Sequence, residues 1–434
     1  EAFDYPVAFL ETRVWRIGRP VPDGAALSAA VELIRVAKRP MIVAGGGVIY
    51  SEATQTLQRL VRRTGVPVAE TQAGKGSLPF DHPGAVGGIG ATGTIAANRV
   101  AAEADLVIGV GTRYSDFTTA SKTAFQDDGV RFININVADF DGHKLGGLPL
   151  TGDARAVLDA LDERLGDWTV PAGYRARCAG LQSDWDKEVS RLYHLGHEPL
   201  PAQSEVLGAV NELSGPRDVV VCAAGSMPGE LHKLWRTRDP KGYHVEYGYS
   251  TMGYEIAGGL GVKLADAGRE VYVLVGDGSY LMMAQELVTS IQERAKLTVV
   301  LVDNQGFSSI GGLSRSKGTA GFGTRYRYRT DGSLGDDSRH TDGELLPVDL
   351  ALNAQGLGAH VIRTHNIEEL RDAVVAAKAI DRTVVIHVAV DRYIGVPDYE
   401  TWWEVPVAEV SESADVKKAR EQHVRGLARR RWHL

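Results

Sequence analysis

Two doubly wound α/β units, each built on a mainly parallel sheet, are the fold class this sequence predicts. Three observations predict it. Short, continuously apolar segments of strand length recur along the chain, among them Met41–Ala44, Leu106–Val110, Val271–Val275 and Leu297–Val302. Strands of that kind belong to parallel sheets covered on both faces. Helical patterns separate them, which is the alternation that βαβ units produce. The alternation runs twice, on either side of a polar stretch from about Gly166 to Pro201.

The elements follow in order. Residues 1–22 are irregular, punctuated by Pro6, Pro20 and Pro22, and read as a linker. The first unit spans 23–165. Its strand Met41–Ala44 ends in Gly45-Gly46-Gly47, and a helical pattern runs from Glu52 to Arg63. Val66–Ala69, Leu106–Val110 and Phe132–Val137 are its further strands. Residues 166–200 form a connector with a helical patch around Tyr174–Leu192. The second unit spans 201–395, with strands Asp218–Ala223, Val271–Val275, Leu297–Val302, His360–Arg363 and Val384–Val390. A tail, 396–434, carries Trp402-Trp403 and a charged helix from about Ala414 to Arg430.

Composition narrows the function classes. The chain has 434 residues, enough for two or three domains, and its 44% apolar and 24% charged residues are ordinary for a globular protein. A net charge of −7 gives no global attraction for nucleic acid or an anionic membrane. The run Arg429-Arg430-Arg431 reads as a solvated tail. Cys178 and Cys222 stand far apart and form neither a disulfide framework nor a metal motif, which fits a reducing cytoplasm. No apolar stretch reaches the roughly 20 residues of a membrane helix, and no signal-peptide pattern opens the chain.

The chemistry concentrates in the second unit. Strand Val271–Val275 runs directly into Gly276-Asp277-Gly278-Ser279, and a helical pattern follows from Tyr280 to Glu293. A glycine turn from a parallel strand into a helix presents free N–H groups, which bind phosphate. Asp277 would repel a phosphate, and a divalent cation between them resolves the conflict. Mg²⁺ takes hard oxygen ligands of this kind. A second ligand appears at the end of the next strand, in Asp303-Asn304-Gln305-Gly306. One helix and one strand fit between Asp277 and Asn304, so both emerge at carboxyl ends of neighbouring strands, where open α/β sheets bind ligands. The Asn304 side-chain oxygen, the Gly306 carbonyl and waters complete the octahedron. A lone Gly-Asp-Gly is ordinarily a turn; the pair in this order on consecutive strands is much rarer.

These segments resemble the thiamine-diphosphate enzymes of the acetolactate synthase and pyruvate decarboxylase type, whose signature is Gly-Asp-Gly, a helix and strand, then an Asn-containing turn. Asp303 stands where that family usually has a first Asn. The resemblance implies Mg²⁺ ligands at Asp277, Asn304 and the Gly306 backbone. It implies diphosphate contacts at Gly276, Gly278 and Ser279, and at Gly225, Ser226 and Met227. It also implies that Met252, with Gly253, supports the bent cofactor. Gly45–Gly47, Thr71–Gly76, Asp81-His82-Pro83 and Val110–Arg113 resemble the family's Rossmann-like central domain. That domain binds flavin in some relatives; here it reads as structural, with no flavin expected and His82 a capping or packing residue.

Gly306–Arg315 and Gly321–Arg329 resemble, more narrowly, a branch that hydrolyses a carbon–carbon bond of a cyclic 1,2-dione in inositol catabolism. The loop after the metal turn would then meet a polyhydroxylated small-molecule substrate with Ser308, Ser309, Arg325 and Arg327. A complete member carries a preceding domain, on the order of 150–200 residues, that supplies an activating glutamate. The chain therefore reads as a fragment of a homo-oligomeric enzyme, inactive alone, and no catalytic residue is assigned in it. Two other readings stand beside this one: a lyase or carboligase on 2-oxo acids, and a non-catalytic cofactor-binding or assembly module.

Overall fold

The computed structural model describes residues 3–246, 248–328 and 344–433; Arg329 lies outside them. Six strands form the first sheet: β1 (Pro40–Ala44), β2 (Val68–Glu70), β3 (Ala85–Gly88), β4 (Leu106–Val110), β5 (Arg131–Asn136) and β6 (Leu148–Thr151). Their order is β3-β2-β1-β4-β5-β6 and every pairing is parallel. This is the Rossmann-like order, which reverses direction between β1 and β4. At that switch point Gly45 and Gly47 press against Gly111. A Cβ on Gly45 would lie 2.3 Å from the Gly111 carbonyl oxygen, and one on Gly47 would lie 2.5 Å from Gly111 Cα. The three glycines thus let two strand-end turns pack backbone on backbone.

The second sheet comprises β7 (Val219–Cys222), β8 (Tyr243–Val245), β9 (Val271–Gly276), β10 (Thr298–Asp303), β11 (His360–Thr364) and β12 (Val384–Ala389). Its order is β11-β12-β10-β9-β7-β8, again wholly parallel. Both sheets are therefore parallel throughout the described residues, as the expected doubly wound class requires. The central strands β1, β4, β7, β9 and β10 are buried almost end to end, which explains their continuous apolar runs. The short edge strands β3, β6 and β8 escape the sequence pattern. Two of them contain Gly or Pro, and edges need no continuous apolar run.

Two expectations change, and the connector's expected helix is borne out. The single helix expected from Tyr280 to Glu293 starts earlier, at Asp277, and divides into Asp277–Met283 and Glu286–Gln292. The connector holds a long helix, Ala172–Tyr193, whose Tyr174, Trp185, Val189 and Leu192 are buried, so it packs between the units. The terminal arginines are not simply solvated. Arg430 pairs with Glu404, and Arg431 Nη1 lies 2.5 Å from Asp128.

The two units are joined at the helix Met227–Leu234. His232 Nε2 is 2.9 Å from the Glu70 carbonyl oxygen, and Lys75 Nζ donates to the His232 carbonyl at 3.0 Å. Gln72 Nε2 donates to the Pro228 carbonyl at 2.9 Å. The tail returns to the first unit, where the Trp403 indole N–H donates to Asp116 at 3.0 Å.

Candidate functional site

The second sheet reverses direction at β7, with β8 on one side and β9 on the other. Parallel sheets leave a crevice at such a point, beyond the carboxyl ends of the strands. A cavity of about 240 Å³ opens there. The turn after β7 supplies Gly225, Ser226 and Met227, and the helix Met227–Leu234 begins in it. Met252, half-buried, reaches the cavity from the start of the helix Tyr254–Ala265, and Gly253 caps that helix directly behind it. The turn after β9 supplies Gly276, Asp277, Gly278 and Ser279. Asn304 and Gly306 come from the turn after β10, and Ser308 and Ser309 from the first turn of the helix Ser308–Ser316. The strands β9 and β10 are direct neighbours, with Gly276 opposite Val302.

Asp277 is wholly buried, at 0% exposure. Its Oδ2 accepts the Gly306 N–H at 2.7 Å, while Oδ1 has no hydrogen-bond partner among the described residues. Burial, reinforced by the nearby Asp303 carboxylate, pushes the Asp277 carboxyl up to about 7. Burial alone would raise Asp303 too, yet it is held below the ordinary range. His387 Nε2 lies 3.0 Å from its Oδ2, and the Gln305 N–H donates to its Oδ1 at 2.9 Å. Asn304 Oδ1 is likewise buried and has no partner among the described residues. A carboxylate oxygen and an amide oxygen, both desolvated and both lacking donors, are costly unless a cation or a proton joins them. Their type and number suit a hard divalent cation. Among the described residues no group of three or more His, Cys, Asp and Glu forms a metal cage. A cation here would therefore take its remaining ligands from backbone, water and the bound molecule.

Gly306 shapes the turn. Its φ is +144°, and a Cβ would sit 2.2 Å from the Thr324 carbonyl oxygen, across the antiparallel bridge Gly306–Arg325. Arg392, which the sequence reading missed, fastens the same turn. Its Nη1 donates to the carbonyls of Asn304 (3.1 Å) and Gln305 (3.2 Å), and its Nη2 to that of Thr324 (3.2 Å).

Arg325 and Arg327 are not brought to the cavity wall with Ser308 and Ser309. Arg325 instead turns to Tyr393 Oη at 3.3 Å and Gln305 Oε1 at 3.4 Å, and Arg327 sits in a bridge with Leu345. Gln203 lines the cavity unforeseen. Its Nε2 donates to the buried Glu230 at 2.9 Å and lies 3.4 Å from Ser226 Oγ. Its sequence context is that of an ordinary helix start, so only the tertiary contact reveals it. His82 is buried, and its Nδ1 accepts the Gly84 N–H at 3.1 Å.

Comparison with known proteins gives a consistent picture. Residues 27–161 match the thiamine pyrophosphate enzyme central domain, and residues 223–388 match the thiamine pyrophosphate enzyme C-terminal TPP binding domain. The chain is 42% identical to a 3D-(3,5/4)-trihydroxycyclohexane-1,2-dione hydrolase of Bacillus cereus (strain AH820), over 99% of this chain and 70% of that protein. It is 41% identical, with the same coverage, to proteins of that name from Bacillus thuringiensis (strain Al Hakam) and, numbered 1, from Bacillus cereus (strain ZK / E33L). Apart from Gln203, the cavity at the ends of β7, β9 and β10 is lined by the matched TPP-binding domain, and this chain belongs to the thiamine pyrophosphate enzyme family.

Proposed function

We propose that this chain binds thiamine diphosphate with Mg²⁺ in the β7–β9–β10 crevice and serves the hydrolysis of a carbon–carbon bond in a cyclic 1,2-dione. One observation carries the cofactor half of the reading: Asp277 Oδ1 and Asn304 Oδ1 are both buried at one cavity and have no hydrogen-bond partner among the described residues. The name that the relatives share supports the substrate half.

Bound thiamine diphosphate supplies an electron sink for breaking a bond beside a carbonyl. The residues of this chain bind and orient. Asp277, Asn304 and the Gly306 carbonyl would hold the cation. Gly276, Gly278 and Ser279, with Gly225, Ser226 and Met227, would meet the diphosphate through free N–H groups at the helix starts. Met252 and Gly253 would support the rings. Ser308 and Ser309 stand at the cavity and can donate to substrate hydroxyls or carbonyls. Arg325 acts in this reading as a support of the metal turn, through Gln305. The backbone contact of Gly45 and Gly47 with Gly111 supports a structural role for the central unit.

Exposed Leu281, Met282 and Val288 lie on the two helices beyond β9. An apolar patch beside a ligand site supports a homo-oligomeric enzyme. Cys178 and Cys222, both free and buried, support a reducing, cytoplasmic setting. Among the described residues no helix is long and apolar enough to cross a membrane.

Turnover assays on the full-length protein with Mg²⁺ and thiamine diphosphate test the reading. Ring opening of 3D-(3,5/4)-trihydroxycyclohexane-1,2-dione is expected. Turnover of pyruvate with no action on the dione would replace the hydrolase with a 2-oxo-acid lyase or carboligase.

A further inference from the structure

Three segments that reach the cavity are joined behind it by a single side chain. Glu255, 1% exposed, sits in the first turn of the helix Tyr254–Ala265. Ser279 Oγ lies 2.8 Å from both of its carboxylate oxygens. The Gly253 N–H donates to Oε2 at 3.1 Å, and the Ala224 N–H to Oε1 at 3.4 Å. The Gly253 N–H also donates to Ser279 Oγ at 2.8 Å, which closes the network.

The partners come from different parts of the chain. Ala224 precedes Gly225-Ser226 after β7, Gly253 follows Met252, and Ser279 follows Asp277 and Gly278 after β9. Each is adjacent to a residue on the cavity wall or lies on it. All are donors, so the pocket around Glu255 is shaped for an acceptor. Burial opposes its ionised form, and the donors favour it. Among the described residues no Lys, Arg or His pairs with it. A buried charge of this kind is a poor device for stability alone, because a well-packed apolar residue avoids its desolvation. It is an effective device for fixing three turns relative to one another before a ligand arrives, which lowers the ordering cost of binding.

We propose that Glu255 is a positioning residue that holds both diphosphate turns and the Met252 support in register for the cofactor. The proposal rests on the cofactor reading above.

Calorimetric titration of the full-length protein tests it, with two probes in Mg²⁺: thiamine diphosphate and inorganic pyrophosphate. Glu255→Gln keeps the shape but turns one acceptor into a donor facing a donor. It is expected to weaken thiamine diphosphate about tenfold and pyrophosphate less, because pyrophosphate touches the two diphosphate turns and not Met252. A merely structural role would lower the melting temperature and leave the affinity ratio of the two probes at its wild-type value. Glu255→Asp, which keeps the charge and draws it back by one methylene, is the second variant should the first not fold, and the same change in ratio is expected. Wild-type affinities in a folded variant overturn the role of Glu255 and leave the cofactor reading standing. Failure of the wild-type protein to bind thiamine diphosphate overturns the cofactor reading and this proposal together.

Discussion

The backbone N–H of Gly306 donates to Asp277 Oδ2 at 2.7 Å. That one bond ties the turn after β10 to the turn after β9. It also uses one oxygen of a fully buried carboxylate and leaves the other without a partner among the described residues. The arrangement is unfavourable for the protein alone and favourable once a cation joins it. In the proposed reading, function and stability therefore oppose each other at this residue.

Asp277→Asn separates the two. The variant removes a buried charge that has no cation, so the melting temperature without ligand is expected to equal or exceed that of the wild type. Thiamine diphosphate affinity in Mg²⁺ should fall by two orders of magnitude or more, about 2.7 kcal/mol at least. Scanning calorimetry and titration of the same samples check both halves. A variant with unchanged affinity would remove Asp277 from the metal site.

Gly306→Ala should fail differently. The new Cβ meets the Thr324 carbonyl oxygen, and the positive φ strains any L side chain. A loss of about 1–3 kcal/mol in stability is expected, together with weaker cation binding because the Asn304 turn shifts. Denaturant unfolding with and without Mg²⁺ measures it.

Arg392→Lys tests the support of that turn. A lysine cannot reproduce a planar fork spread over the carbonyls of Asn304, Gln305 and Thr324. Thiamine diphosphate affinity is expected to fall about tenfold, with far-UV circular dichroism unchanged. Wild-type affinity would show that the turn holds itself.

His232 gives a pH dependence at the joint between the units. Burial, with the positive charge of Lys75, lowers its pKa to about 3 in the folded protein, against an ordinary value near 6.5. Between those values the unfolded chain binds a proton that the folded chain refuses, so the stability contribution is full above about pH 6.5 and falls as pH drops towards 3. The slope from this one group is about 1.4 kcal/mol per pH unit. In His232→Gln the acid limb of the stability curve is expected to be shallower by that amount. Parallel limbs for variant and wild type would show that His232 already accepts its proton in the folded state.

The sequence showed most where the physics is local. Buried central strands need continuous apolar runs, and β1, β4, β7, β9 and β10 stood out for that reason. Gly276-Asp277-Gly278 and Asn304 were legible because a parallel strand, a turn and a helix follow one another directly in the chain. The rest depends on distant contacts. Glu255 reads as an ordinary helical position until Ala224 and Ser279 are placed against it. Arg392 lies far along the chain from the carbonyls it holds, and Gln203 looks like a routine helix start. The expected substrate loop was only half legible. Ser308 and Ser309 follow the turn after β10 immediately and reach the cavity, whereas Arg325 is drawn to Tyr393 and Gln305 by a bridge across the turn that no local pattern encodes.

The most direct test is crystallographic. Crystals of the full-length protein grown with thiamine diphosphate and Mn²⁺ in place of Mg²⁺ would be measured for anomalous scattering. The predicted result is a single strong peak within coordination distance of Asp277 Oδ1 and Asn304 Oδ1, with diphosphate density reaching Gly225 and Ser279. Bound cofactor with its metal elsewhere, or Asp277 facing no cation, would contradict the account.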